Sequence, residues 1–333
     1  MSNPHPLPAT MTAVAISAPG GPEVLQPVER PLPALQAHEV LIKVAAAGVN
    51  GPDLMQRKGL YPAPAGASDL PGLEVSGTVV ARGAAVQRRA IGDRVVALTN
   101  GGGYAGYVAV NAEHCMPVPQ GINLLDAAGL PETFFTVWSN VFIGAGLKAG
   151  ETFLVHGGAG GIGTTCIQLG KAFGAKVIAT DSPETRCKVC RELGADRVID
   201  YRTEDFVEAV RAEGGANVIL DIVGGPNIEK NFKAASPDAR IIQLAFAAGS
   251  KVEINLMPVM LKRLTYTGST LRTRSDAYKA RIARELEDRV WPLIAEGKIR
   301  TVTHSILPLA QAAQAHALME SSGHVGKILL QVA

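Results

Sequence analysis

Between Thr12 and about Pro119 the apolar residues come in short, β-branched runs, TAVAIS, EVLIKVAAAGV, SGTVVARG, GDRVVAL and YAGYVAV, each broken by glycine or proline. Runs of that length and spacing predict a compact, mostly antiparallel β domain. From about Asn123 the texture changes. Short apolar runs (TFLVHG, KVIAT, RVIDY, NVILDIVGG, RIIQLAF) alternate with helix-like stretches such as GTTCIQLGKAFGA and ETRCKVCRELGA, which predicts a parallel sheet covered by helices on both faces. After about Gly268 the amphipathic segment SDAYKARIARELEDRVWPLIAEG and the terminal strand KILLQVA return to a mixed texture. The expected fold class is α/β: a β-rich domain built from residues 1–127 and 269–333, interrupted by a doubly wound parallel-sheet domain at 128–268.

Composition narrows the partners. The 333 residues are 47% hydrophobic and 5% aromatic and carry a formal net charge of +2, enough chain for two cores and no electrostatic footprint for nucleic acid. No window reaches the roughly 18 to 20 unbroken apolar residues of a membrane span. The opening MSNPHPLPAT, expected to be a frayed tail, lacks the charged start and apolar centre of an export signal. Small-molecule partners and a cytoplasmic location follow as expectations. Four cysteines do not make a disulfide framework. Cys187 and Cys190 form a CxxC, but within a predicted helix and with no second pair nearby to complete four ligands, so they read as helix residues and no metal site is expected.

The stretch VHGGAGGIG puts five glycines into nine residues directly after an apolar run. Gly158, Gly160 and Gly163 fit GxGxxG between a predicted strand and a predicted helix, with Ala159, Gly161 and Ile162 completing the loop and Asp181 ending the next strand. Glycine there permits a tight turn, close approach of backbone N–H groups to a diphosphate and close helix–sheet packing, while the helix N-terminus adds a favourable dipole. Its βαβ setting predicts dinucleotide binding.

Beyond this loop, the segments AAAGVNGPDLMQRKGLYP, LPGLEVSGTV, GDRV, GGGYAGYV, ELGADRVIDYRTEDF, GSTLRTR and GHVGKILL resemble the zinc-free quinone oxidoreductase branch, zeta-crystallin included, of the medium-chain dehydrogenase/reductase superfamily. The resemblance spans nearly the whole chain and is strongest to the subgroup with DLMQRKGLYP and TLRTR motifs, which reduces quinones with NADPH. It implies a GroES-like catalytic domain with an inserted Rossmann domain. Zinc alcohol dehydrogenases of the superfamily carry a cysteine after the GV and a histidine before the glutamate of a GHE motif; here those places hold Asn50 and Leu73, and only Glu74 remains. Neither can replace a thiolate or imidazole on catalytic zinc. Without a Lewis acid, reduction of an electrophilic acceptor is favoured over alcohol oxidation.

The resemblance also implies roles. Asn50 and Thr136 would lie near the nicotinamide and Tyr61 would face the acceptor, where a phenol can donate a hydrogen bond or a proton. The glycine loop, Asp181, Ser182, Arg186, Tyr201, Gly224, Phe246, Leu271, Arg272 and Lys327 would contact the cofactor. An acidic residue at Asp181 is suited to the ribose of NADH, whereas Arg186 and Tyr201 suit the 2′-phosphate of NADPH; the expected cofactor is NADPH, with NADH possible because of Asp181. The acceptor stays open between a quinone and an α,β-unsaturated carbonyl (a 2-enal, enone or enoyl thioester), since PETFFTVWSNVF departs from the subgroup pattern in that region. A non-catalytic NADPH-binding protein, crystallin-like or redox-sensing, is the reading from another class. Family members are usually homodimers, and VEINLMPVMLKRLTYTGS is the segment expected to supply the edge strand.

Overall fold

A computed structural model describes residues 7–332. Most of the tail reading, residues 1–6, lies outside the described residues. The chain divides into two units. One is formed by the chain up to Glu132, by Arg272–Ala295 and by the chain from Thr303 onward; the other is Thr133–Leu271 with the short segment Glu296–Val302.

The first unit is the β-rich, GroES-like one. Its main sheet runs in the order Thr303–Pro308, Lys327–Gln331, Glu39–Gly48, Glu74–Arg82, Arg94–Leu98, Cys115–Pro117, and Tyr107–Asn111 also pairs with Glu39–Gly48. A separate antiparallel pair joins Thr10–Ile16 to Leu25–Pro31. Alternating side chains of these strands, among them Ile42, Val44, Val75, Val95 and Leu330, meet in one core, which is why the period of two was readable. The strand Glu39–Gly48 is antiparallel to both Glu74–Arg82 and Lys327–Gln331. Its final residue therefore lies beside the first residues of its two neighbours, and polar groups at 50, 74 and 327 converge at one end of the sheet.

The second unit is a Rossmann-like sheet of six parallel strands: Arg197–Asp200, Lys176–Asp181, Thr152–His156, Ala216–Asp221, Ala235–Gln243, Thr265–Gly268. In chain order this is 3-2-1-4-5-6, and the loop after the first strand opens at the point where the order reverses, the place where such sheets take ligands. Thr152–His156 is buried at every position, as a central strand covered on both faces must be. Its core joins Leu154, Ile178, Ile219, Phe232 and Ile241. Cys187 and Cys190 sit on the helix Glu184–Glu192, both buried and free. At the sheet edge Thr265–Gly268 is exposed along its length, and the helix Met257–Leu261 before it exposes Met257, Met260 and Leu261. Among the described residues no helix is long and apolar enough to cross a membrane.

Candidate active site

In the second unit the glycine loop joins Thr152–His156 to the helix Gly161–Ala172, with Gly160 at the cap. Close packing dictates the glycines. A Cβ on Gly163 would run into the Gly157 carbonyl and the Gly158 backbone, and one on Gly158 would come 2.7 Å from Cys190 Sγ. At Gly160 a Cβ would meet only Gly157 O, at 3.5 Å, so this residue faces open space where the helix N-terminus points its N–H groups.

Asp181 is buried at the end of its strand, and its carboxylate is fully engaged. Oδ2 accepts from the Ala159 N–H at 2.7 Å and from Arg186 Nη2 at 3.3 Å; Oδ1 accepts from the Ser182 N–H at 2.8 Å and from Arg186 Nε at 2.6 Å. One acidic side chain thus ties the glycine loop, the following turn and the arginine together. Ser182 Oγ next to it is buried and has no hydrogen-bond partner. Tyr201 is exposed, with its N–H 3.4 Å from Asp181 O. Gly224 and Phe246 come together: at Gly224 the backbone has φ +66°, and a Cβ would lie 2.7 Å from the Phe246 ring. Leu271 is half-buried in a bend after the last strand. Thr136 is half-buried on the helix Pro131–Val137, its carbonyl accepting from Asn140 Nδ2 at 2.8 Å.

Sequence reasoning passed over what holds the Gly224 turn. Asp221 Oδ1 accepts from the Val223 and Gly224 N–H groups at 2.6 and 3.0 Å, Oδ2 accepts from Asn231 Nδ2 at 2.8 Å, and Asn231 Oδ1 lies 2.8 Å from His156 Nε2. Burial pushes the His156 imidazole below its ordinary pKa, so it is neutral and donates to Asn231. The available signal was an aspartate closing an apolar strand three residues before a glycine pair.

In the first unit, Asn50 caps the helix Gly51–Arg57, and its N–H donates to Asp53 Oδ2 at 2.9 Å while Gly72 N–H donates to Oδ1 at 2.9 Å. Burial raises the Asp53 pKa to about 7, against the pull of those two N–H groups and of the Lys327 charge. The Asn50 carboxamide donates to Glu74 Oε1 at 2.9 Å, and Lys327 Nζ reaches Asn50 Oδ1 at 2.6 Å, Glu74 Oε1 at 2.7 Å and Val49 O at 3.1 Å. Glu132, also passed over, donates its N–H to Glu74 Oε2 at 2.8 Å.

Tyr61 and Arg272 are neighbours: the guanidinium carbon is 5.5 Å from the phenol ring centroid. Burial and the Glu132 charge raise the Tyr61 pKa, and Arg272 opposes them, so the phenol keeps its proton at neutral pH. Arg272 itself holds Asn100 O through Nε and Nη2 at 3.0 and 2.7 Å, leaving Nη1 buried without a partner. A cavity of about 440 Å³ elsewhere in this unit is lined by Met11, His38, Asn100, Tyr107 and His114 and by none of the expected site residues. Among the described residues no group of three or more His, Cys, Asp or Glu side chains is gathered for a metal ion.

Comparison with known proteins places these features. Residues 36–120 match the alcohol dehydrogenase GroES-like domain and 161–287 the zinc-binding dehydrogenase domain. The quinone oxidoreductase of Rattus norvegicus is 32% identical over 326 residues, 96% of this chain and 97% of its own. Among solved structures, the Escherichia coli quinone oxidoreductase complexed with NADPH is 29% identical with a TM-score of 0.85, covering 96% of this chain and all of that one. The CurK enoyl reductase is 25% identical with a TM-score of 0.86, covering 98% of this chain and all of that one.

Proposed function

The chain belongs to the quinone oxidoreductase family of medium-chain dehydrogenases/reductases, and on that premise we propose that it transfers a hydride from NADPH to a quinone without a metal. The observation that carries the reading is the glycine loop anchored on a saturated carboxylate beside a partnerless buried hydroxyl, Ser182 Oγ. That arrangement fits a dinucleotide, its diphosphate on the N–H groups at Gly160–Gly163 and its ribose end at Ser182, Arg186 and Tyr201. When bound, the reduced nicotinamide supplies the hydride.

The remaining work falls to this chain's residues, which position and exclude rather than react. Asn50 and Thr136 hold the nicotinamide end; Gly224, Phe246, Leu271 and Arg272 complete the cofactor's surroundings. Tyr61, protonated at neutral pH, donates its hydrogen bond to the acceptor oxygen and supports negative charge developing there. Asp181 already accepts four hydrogen bonds, the capacity of a carboxylate. The ribose hydroxyl of NADH would have to displace Arg186, while a 2′-phosphate would take up the guanidinium charge and the unpartnered Ser182 hydroxyl. NADPH is accordingly the proposed donor and NADH the weaker one.

The likeness to an enoyl reductase favours a second reading, reduction of an α,β-unsaturated carbonyl. Following NADPH oxidation with 9,10-phenanthrenequinone and with a 2-alkenal decides between them. Faster turnover of the quinone supports the first reading, faster turnover of the alkenal the second, and tight NADPH binding without consumption supports a binding protein. The exposed edge Thr265–Gly268 and the apolar side chains before it support a homodimer. Four free, buried cysteines suit a reducing cytoplasm.

A further inference from the structure

Lys327 is 9% exposed, and its ammonium group meets three acceptors, Val49 O, Asn50 Oδ1 and Glu74 Oε1, all within 3.1 Å. An ammonium has three donors, so its hydrogen-bonding capacity is filled inside the first unit. Glu74 is completely buried and equally occupied, with Lys327 and Asn50 Nδ2 on one oxygen and the Glu132 N–H on the other. Gly48 makes the room: a Cβ there would overlap the Glu74 carboxylate.

The consequence concerns Asn50. A carboxamide has two nearly isosteric orientations, and its partners decide between them. Here the oxygen lies on an ammonium and the nitrogen on a carboxylate. The flipped form would set N–H groups against the cation and a carbonyl against the anion. Glu74 uses one N–H of Nδ2, and the other has only a 3.5 Å contact with Gly48 O, so the second N–H is the group the network holds ready.

We propose that Glu74 and Lys327 are positioning residues, a buried ion pair that locks the Asn50 carboxamide in one orientation, and that Lys327 acts through Asn50 rather than as a cofactor ligand. This rests on Asn50 lying beside the nicotinamide in the proposed function. A buried pair of this kind contributes little net stability, yet removing one member leaves the other uncompensated. The double variant Glu74→Gln/Lys327→Met, which leaves no lone buried charge, therefore serves beside the singles.

The test measures NADPH affinity by fluorescence titration and kcat and KM with 9,10-phenanthrenequinone for Glu74→Gln, Lys327→Met and the double variant, in the wild type and in an Asn50→Ala background. The expected result is kcat reduced at least tenfold with acceptor KM and NADPH affinity within about threefold, and under threefold further loss when Asn50 is already alanine. Equal losses in both backgrounds would mean a merely structural pair and overturn the proposal; so would a tenfold weaker NADPH affinity confined to Lys327→Met, which would make Lys327 a cofactor ligand.

The side-chain amide resonances of Asn50, identified by their disappearance in Asn50→Ala, give a readout without turnover. One hindered, strongly shifted N–H pair is expected in the wild type, moving to ordinary exposed-amide values in the double variant. An ordinary, freely rotating amide in the wild type would sink the proposal. Should the wild type leave NADPH unoxidised with both the quinone and the alkenal while this signature holds, the proposed function fails and the locked carboxamide stands.

Discussion

Asp181→Ser removes a buried carboxylate that performs two jobs at once: it pins the Ala159 and Ser182 N–H groups, and it neutralises Arg186. The first job serves either nicotinamide nucleotide. Charge-assisted hydrogen bonds contribute about 1.5–3 kcal/mol each, so loosening the loop lowers the melting temperature and weakens both cofactors by a common factor. The second job discriminates. A unit charge pair at about 4 Å and an effective dielectric near 20 amounts to roughly 4 kcal/mol before screening, so deleting the carboxylate both relieves repulsion of a 2′-phosphate and releases Arg186 toward it. Loop damage cancels in the ratio of the two affinities while the electrostatic change does not. Calorimetric titration of wild type and variant with NADPH and NADH should therefore show the ratio moving toward NADPH by at least about tenfold, equivalent to about 1.4 kcal/mol. An unchanged ratio, or one that moves toward NADH, refutes this account of the pocket.

Three further outcomes are expected. Tyr61→Phe should lower kcat roughly ten- to a hundredfold while leaving NADPH affinity intact, because only the donated hydrogen bond is lost; unchanged steady-state rates with several quinones would remove Tyr61 from the reaction. His316 is buried between Tyr104 Oη at 3.0 Å and Arg57, and burial with the Arg57 charge holds its pKa down to about 3. Its contribution is complete above the unfolded value of about 6.5 and lost as pH falls toward 3, up to about 5 kcal/mol, so His316→Gln should lose less unfolding free energy than wild type between pH 6.5 and 4, and parallel urea-denaturation curves would contradict this. Met260→Glu with Leu261→Glu, on the exposed helix beside the sheet edge, should convert a dimer to monomer in light scattering; a wild-type monomer would disprove the dimer outright.

What was legible in the sequence was local. Thr152–His156, the glycine loop and Gly161–Ala172 follow one another directly, so strand, turn and helix signals fall within a few residues, and the alternation that repeats from there announced the parallel sheet. Cys187 and Cys190 were recognisable as helix residues because their neighbours carry a helical pattern. Legibility ended where partners come from far along the chain. Lys327 and Asn50 are separated by 277 residues, and nothing about either indicates that the ammonium would end on the amide oxygen. Asp181 was read as open to a ribose because two of the four donors that fill its carboxylate, the Ala159 and Ser182 N–H groups, belong to the backbone and are invisible to side-chain pattern, and Arg186 supplies the other two. Asp221 was missed for the same reason, since its work is done on the Val223 and Gly224 N–H groups.

Two of the buried carboxylates, Glu74 and Asp181, share one construction. Each accepts a backbone N–H, each holds further groups in place, and each has a cation against it, Lys327 in one case and Arg186 in the other. An ion pair removed from water is no better for stability than apolar residues of the same shape, so stability is a poor reason for either. Orientation is a better one. A carboxylate can accept several hydrogen bonds in fixed directions where a carbonyl or hydroxyl accepts fewer, but left alone it would put a full negative charge near groups that, on the proposed function, receive a phosphate or a nicotinamide ring. The adjacent cation cancels that charge while the directional acceptors stay. For hydride transfer without a metal, rate depends on holding neutral partners at the reacting distance, and a neutralised carboxylate is a means by which a chain can hold amides rigidly without adding net charge.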